Sequence, residues 1–237
     1  MQEVGRTLVY FGHSAFLIKS SSNVNILIDP WISNPINKAK IEEFTNRVHY
    51  ILITHGHDDH VGDTLSIAKA FDAEVITNHE IANFLHFKGL NKLTGMNTGG
   101  TYRKDNLSFT MVEATHSSTI HDGERMIPGG NPVGFVVTLE DGYKLYHMGD
   151  TGLLGSLPMI AELYKPDILM IPIGGHYTMG PQEAAYTVSI IKPKVIIPMH
   201  YKTFPLIDVN LEEFIEKLSP AFKDRAIPLK PGDSYSF

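Results

Sequence analysis

Short apolar runs punctuated by glycine, serine and asparagine open the chain, and their length sets the first elements. Leu8-Val9-Tyr10-Phe11, Ala15-Phe16-Leu17-Ile18, Val24-Asn25-Ile26-Leu27-Ile28 and Ile51-Leu52-Ile53 are too short for helices and rich in β-branched and aromatic side chains. Each therefore predicts a strand, with Ser20-Ser21-Ser22-Asn23 as a turn. The spacing then changes. Leu65, Ile67, Ala68 and Phe71 predict a helix capped by Asp63, Glu74-Val75-Ile76-Thr77 a strand, and Ile81 with Leu85 a second helix capped by Asn78.

The later part of the chain alternates in the same way. Leu107 to Ala114 reads as a strand, and Val133 to Leu139 pairs with Tyr143 to Tyr146 in a hairpin turned at Asp141-Gly142. A helix through Leu154, Ala161 and Leu163, a strand Ile168 to Ile171, a helix after Pro181 through Ala184, Val188 and Ile191, and a strand Val195 to Ile197 follow. Two strand-rich halves with helices on their outer sides imply an α+β chain folded as a four-layer αββα sandwich. Between them, Ser117 to Pro132 reads as a loop carrying His121, Asp122 and Arg125, either a lid over a site or a mobile surface segment.

Composition narrows the classes that such a chain can enter. Hydrophobic residues make up 43% of it, enough for a sizeable core, and no run approaches the ~18 apolar residues of a membrane helix. Met1 to Thr7 lacks a basic region followed by an apolar stretch, so no secretion signal is expected. The absence of cysteine excludes disulfides and thiolate ligands and fits a cytoplasmic location. A formal charge of -6 argues against general binding to nucleic acid or anionic lipid. Lys104, Arg125 and Lys202 lie in or near expected loops, where they either face an anionic substrate or are solvated surface charges.

The chemistry concentrates in Thr54-His55-Gly56-His57-Asp58-Asp59-His60, directly after the apolar strand that ends at Ile53. Three imidazoles and two carboxylates in a loop leaving a buried strand stabilise a core poorly and hold metal ions well, because divalent cations such as zinc favour both donor types. His55 and His57 can converge on one ion while Asp59 and His60 turn toward a second. One loop cannot complete two coordination spheres, so further donors are expected at other strand ends. His116, Asp150 and His200 each follow a strand-like run. Since these candidates run from His55 to His200 and must meet, residues 1–237 read as one domain.

In this order, His-x-His-x-Asp-His, a lone His, Gly-Asp and another lone His, the chain resembles the metallo-β-lactamase fold superfamily. Gly12-His13-Ser14-Ala15-Phe16, Gly129-Gly130-Asn131-Pro132, Pro172-Ile173-Gly174-Gly175 and Pro198-Met199-His200-Tyr201 resemble, more narrowly, the UPF0173-type metal-dependent hydrolases grouped beside ascorbate-6-phosphate lactonases. The resemblance implies two divalent ions. It puts His55, His57 and His116 on one, Asp59, His60 and His200 on the other, Asp150 as the bridge, and Asp29 in a supporting role behind the histidine loop.

Two ions bridged by Asp150 would lower the pKa of a shared water and yield a hydroxide nucleophile. His13 and His176 are candidates to stabilise charge on the substrate. His13 could equally be a further metal ligand or a turn histidine bonded to backbone. His147, just ahead of Asp150, is a candidate supporting residue, whereas His49, His79 and His86 read as structural. A bridging aspartate accompanies phosphodiesterases, lactonases and thioesterases of the superfamily, which points to a small anionic phosphodiester or phosphorylated lactone rather than an antibiotic. The same ligands can hold two irons for non-hydrolytic redox chemistry, and a metal-binding module without catalysis is the third reading. Zinc, manganese, nickel and iron all suit this donor set, and the sequence is compatible with a homo-oligomer.

Overall fold

A computed structural model describes residues 5–237; the reading of the opening segment as free of a secretion signal falls partly on Met1 to Val4, outside them. The chain divides into two compact units. One comprises the described residues up to Asn97 together with Ser117–Pro132 and Leu229–Phe237; the other comprises Thr98–His116 and Val133–Pro228.

In the first unit, β1 (Thr7–Tyr10), β2 (Phe16–Lys19), β3 (Asn25–Ile28) and β4 (Tyr50–Leu52) lie where the apolar runs predict them. After α1 (Asp58–Val61) and α2 (Thr64–Phe71) come β5 (Glu74–Asn78), α3 (His79–Phe87) and β6 (Leu93–Met96). Together with Ser234–Ser236 at the edge, these strands form a seven-stranded sheet in which β3, β4, β5 and β6 run parallel, with Ile28 opposite Leu52 and Leu52 opposite Ile76. Parallel strands buried on both faces need unbroken apolar runs, and Ile26, Leu27, Ile28, Ile51 and Leu52 are all fully buried. Val9, Leu17, Leu27, Ile51 and Val75 pack with Ile67 and Ala68 of α2 and Ile81 and Leu85 of α3. The parallel register sends Asp29, the 54–60 loop and Asn78 off one edge of the sheet, where ligands of open parallel sheets characteristically bind.

Asn78 caps α3 as expected, its side chain accepting the Ile81 N–H at 2.9 Å. Asp63 stands at the cap position of α2, but its carboxylate accepts instead from the Ser33 N–H and hydroxyl, at 2.8 and 3.1 Å, tying the helix start to the loop after β3.

The second unit begins with β7 (Thr101–Lys104) and β8 (Leu107–Glu113). The expected loop 117–132, assigned to the first unit, instead contains a hairpin of β9 (Thr119–Asp122) and β10 (Arg125–Pro128), turned at Gly123-Glu124. Back in the second unit, β11 (Val133–Thr138) and β12 (Lys144–His147) form the expected antiparallel hairpin. They are followed by α4 (Leu157–Tyr164), β13 (Ile168–Pro172), α5 (Pro181–Ile191), β14 (Val195–Met199), α6 (Leu211–Lys217) and α7 (Pro220–Lys223). α4 starts at Leu157, so Leu154 precedes the helix. The sheet order is β14-β13-β12-β11-β8-β7, with β12, β13 and β14 parallel. Because β11 is antiparallel to both β8 and β12, the C-terminal ends of β8, β12, β13 and β14 share one edge. His116, Asp150 and His200 leave the sheet there.

Val136, Tyr146, Leu169, Ile171 and Ile196 pack beneath Leu157, Ile160, Val188 and Phe214 of the covering helices. Tyr146 is fully buried, and its hydroxyl finds no hydrogen-bond partner among the described residues. No helix among the described residues is long and apolar enough to cross a membrane.

Burial, reinforced by the charge of Glu113, pushes the Tyr146 phenol well above its ordinary range. The folded state thus holds the proton more tightly than the unfolded chain. That stabilisation is complete below the unfolded phenol pKa of about 10 and falls as pH rises above it, because the unfolded chain ionises first. Replacing Tyr146→Phe should leave stability near neutral pH within about 1 kcal/mol, since no hydrogen bond is lost. It should also make the decline above about pH 10 shallower. Urea unfolding at the two pH values checks both; a loss of several kcal/mol near neutrality would show that the hydroxyl is satisfied.

Candidate functional site

Asp29 organises the first group of candidate side chains. It follows β3, is fully buried and sits in the left-handed region at φ 45°, a conformation that aspartate tolerates better than most residues. Its Oδ1 accepts the Thr54 N–H at 2.8 Å, and its Oδ2 accepts the Thr54 hydroxyl at 2.7 Å and meets His60 Nδ1 at 2.8 Å. The Thr54 hydroxyl donates its one hydrogen bond to Asp29, so it can only accept from His55 Nδ1, 3.0 Å away. Both imidazoles are thereby held with the proton on Nδ1 and a lone pair on Nε2, the state in which a neutral imidazole binds metal.

His55 Nε2 lies 3.0 Å from His57 Nδ1. Asp59 Oδ1 lies 3.9 Å from His60 Nε2, and Asp59 Oδ2 meets His13 Nε2 at 2.9 Å. Ligand atoms of His13, Asp59 and His60 all lie within 4.8 Å of one another. His13 is fully buried, at φ 55°, with its ring edge-on to Trp31. Besides its place in the turn after β1, His13 thus has a side-chain partner in Asp59.

In the second unit, Asp150 Oδ2 lies 2.9 Å from His200 Nε2 and 3.5 Å from His116 Nε2. Asp150 and His200 are buried, and His116 is partly exposed. The turn is braced from both sides. The Thr115 N–H donates to Thr151 Oγ1 at 3.0 Å, Gly152 N–H returns to the Thr115 carbonyl at 3.1 Å, and His147 Nδ1 accepts the Gly149 N–H at 3.1 Å. His200 takes φ 55° immediately after β14. A Cβ on Gly174 would lie 2.2 Å from the His200 carbonyl oxygen, so only glycine allows this approach.

His176 joins neither group. It is exposed on the turn after β13, edge-on to Tyr177, and that turn is tied to the residue after Asp150 by the Met179 N–H on the Thr151 carbonyl. His79 and His86 lie on α3, and His49 Nδ1 accepts the Asn25 N–H.

These donors suit a metal. Bonds of about 2.0–2.2 Å in tetrahedral geometry put neighbouring ligand atoms roughly 3.3 Å apart, and the observed separations of 3.0, 2.9 and 3.5 Å bracket that value. A family model described as the Beta-lactamase superfamily domain matches residues 7–200. A UPF0173 metal-dependent hydrolase of Methanosphaera stadtmanae is 46% identical over 95% of this chain and 97% of its own. The chain belongs to the UPF0173 metal-dependent hydrolases.

For this family the fold is also seen in solved structures. A metallo hydrolase from the hyperthermophilic archaeon Ignicoccus hospitalis is 37% identical, covers 99% of both chains and superposes with a TM-score of 0.88. A protein of the metallo-β-lactamase superfamily from Thermotoga maritima is 25% identical, with a TM-score of 0.57 over 89% of this chain and 84% of its own. The α+β metallo-β-lactamase fold read from the sequence is the fold of this chain, and the chain is a metal-dependent hydrolase. Thr54, Thr151 and Ser117 escape a reading of the sequence, because a single hydroxyl beside a candidate ligand is too common a feature to single out.

Asp29→Ala should strand three buried donors, the Thr54 N–H and hydroxyl and His60 Nδ1–H, and destabilise the metal-free UPF0173 hydrolase by about 3 kcal/mol. Urea unfolding measures this. A change under about 0.5 kcal/mol would mean that the histidine loop is held by other contacts.

Proposed function

We propose that this UPF0173 hydrolase is dinuclear, with His55, His57 and His116 on one ion, Asp59, His60 and His200 on the other, and Asp150 bridging, and that residues 1–237 work as one domain. The observation that carries the reading is the tautomer control exerted by Asp29, which reserves Nε2 of both His55 and His60. A histidine cluster kept only for packing has no need of such control. When bound, two divalent ions supply a hydroxide nucleophile at neutral pH and a Lewis acid for the oxygen that gathers charge. Zinc is our first choice; manganese, nickel and iron suit the same donors.

The chain's own residues supply position and polarity. With its proton on Nε2, His13 donates to Asp59 Oδ2 and leaves Oδ1, 3.9 Å from His60 Nε2, for the ion. His176, exposed on the turn after β13, is the residue we assign to substrate contact. The substrate we favour is a small anionic molecule, a phosphodiester or a phosphorylated lactone. The carboxylate at position 150 supports that class, as do the exposed Arg125 and Lys202; Lys104, paired with Leu107 at the start of β8, lies at the sheet edge opposite to His116 and does not. A cytoplasmic location fits the absence of cysteine.

The test is hydrolysis of a bis-aryl phosphodiester by protein loaded separately with zinc, manganese or nickel. Turnover should appear with at least one metal and fall by about a hundredfold or more in Asp150→Ala. Absence of turnover by fully loaded protein would exclude the phosphodiester and shift the reading to a lactone or thioester. Two bound ions with no hydrolysis of any of the three ester classes would overturn the proposed reaction.

A further inference from the structure

The hairpin of β9 and β10 grips the histidine loop at three successive residues. The Gly56 N–H donates to Ser118 Oγ at 3.0 Å, Ser117 Oγ lies 3.1 Å from His57 Nε2, and His121 Nδ1 lies 3.0 Å from Asp58 Oδ2. The approach is close enough that a Cβ on Gly56 would come within 2.8 Å of Ile120 Cγ1 and 3.1 Å of the Ser118 carbonyl oxygen. The Ser118 hydroxyl spends its one proton on the Gly129 carbonyl, 3.0 Å away, so toward Gly56 it can only accept.

The hairpin is itself anchored. Its base closes through the Gly129 N–H on the Ser118 carbonyl at 2.6 Å, and Asn78 Nδ2 donates to the Gly129 and Asn131 carbonyls at 2.6 and 2.9 Å. Near its tip, Asp122 meets Lys88, just past α3, at 2.5 Å. The residue that caps α3 thus also holds the base of the hairpin, where Gly129 pairs with Ser118 beside Ser117.

We propose that Ser117 is a positioning residue for His57 and that the β9–β10 hairpin is a clamp on the histidine loop, not a freely moving lid. The inference rests on the proposed role of His57 as a ligand. With the Ser117 hydroxyl accepting from Nε2–H, His57 keeps its lone pair on Nδ1, the atom that faces His55 Nε2 at 3.0 Å. Without the hydroxyl the ring can flip or take the other tautomer, and binding an ion then requires reordering it. The His121–Asp58 pair is exposed on both sides and contributes little by comparison.

The experiment is zinc affinity by competition with a chromogenic chelator, run on the parent, Ser117→Ala, Ser117→Thr and His57→Ala, alongside thermal melts of each protein without metal. Ser117→Ala should bind zinc about 10–100-fold more weakly, the usual effect of removing a hydrogen-bond partner behind a ligand. Its metal-free melt should match the parent, and Ser117→Thr should restore affinity. If His57→Ala weakens zinc binding and Ser117→Ala does not, the clamp is wrong while the ligand assignment survives. If His57→Ala binds zinc as well as the parent, the ligand assignment itself falls and the clamp with it. A lowered metal-free melt in Ser117→Ala that threonine fails to restore would make Ser117 a structural residue and overturn the proposal.

Discussion

The buried carboxylate of Asp29 joins two parts of the chain that would otherwise be independent. It follows β3, yet its oxygens bond to Thr54 and His60 in the segment after β4. A fully buried charge is tolerated only where donors converge on it, and here the donors are a backbone N–H, a hydroxyl and an imidazole. The arrangement therefore works in both directions. The loop satisfies the charge, and the charge decides which nitrogen of His55 and of His60 carries the proton.

Parallel pairing makes this arrangement accessible. In the first unit the register of β3, β4 and β5 sets Asp29, the histidine loop and Asn78 side by side; in the second, β12, β13 and β14 do the same for Asp150, the 173–180 turn and His200. Hydrophobic runs thus fix where polar residues emerge, although they contribute no chemistry. The backbone bends sharply at these exits. Asp29, His13 and His200 all take positive φ, a strain of about 1 kcal/mol each that such sites commonly carry.

Sequence alone discloses what is local. Histidine crowding after an apolar strand marks the loop, and the strands of the two sheets follow from their apolar runs. Edge strands escaped it: β6 and β7 are partly exposed throughout and carry little apolar alternation. β9 and β10 escaped it because four-residue strands with His121, Asp122 and Arg125 read as a polar loop. Asp63 stands at the cap position of α2 as expected, but its side chain is diverted from the helix, since Ser33 competes for the same carboxylate from 30 residues away. The contact between Ser117 and His57 spans 60 residues, and no local pattern encodes it.

The choice between carboxylate and hydroxyl behind the imidazoles follows from charge. Asp29 serves two rings, one directly and one through Thr54, and three donors stabilise its negative charge where it lies. A second carboxylate behind His57 would have no such set of donors, and on a chain of net charge -6 it would further repel an anionic substrate. A serine hydroxyl gives the ring the same acceptor without that cost. It also holds more weakly than a carboxylate, so its position must be secured by the surrounding backbone. The hydrogen bonds from Asn78 and Ser118 to the Gly129 carbonyl provide that security, which is why a residue on an outer helix cap bears on the order of a histidine in the loop.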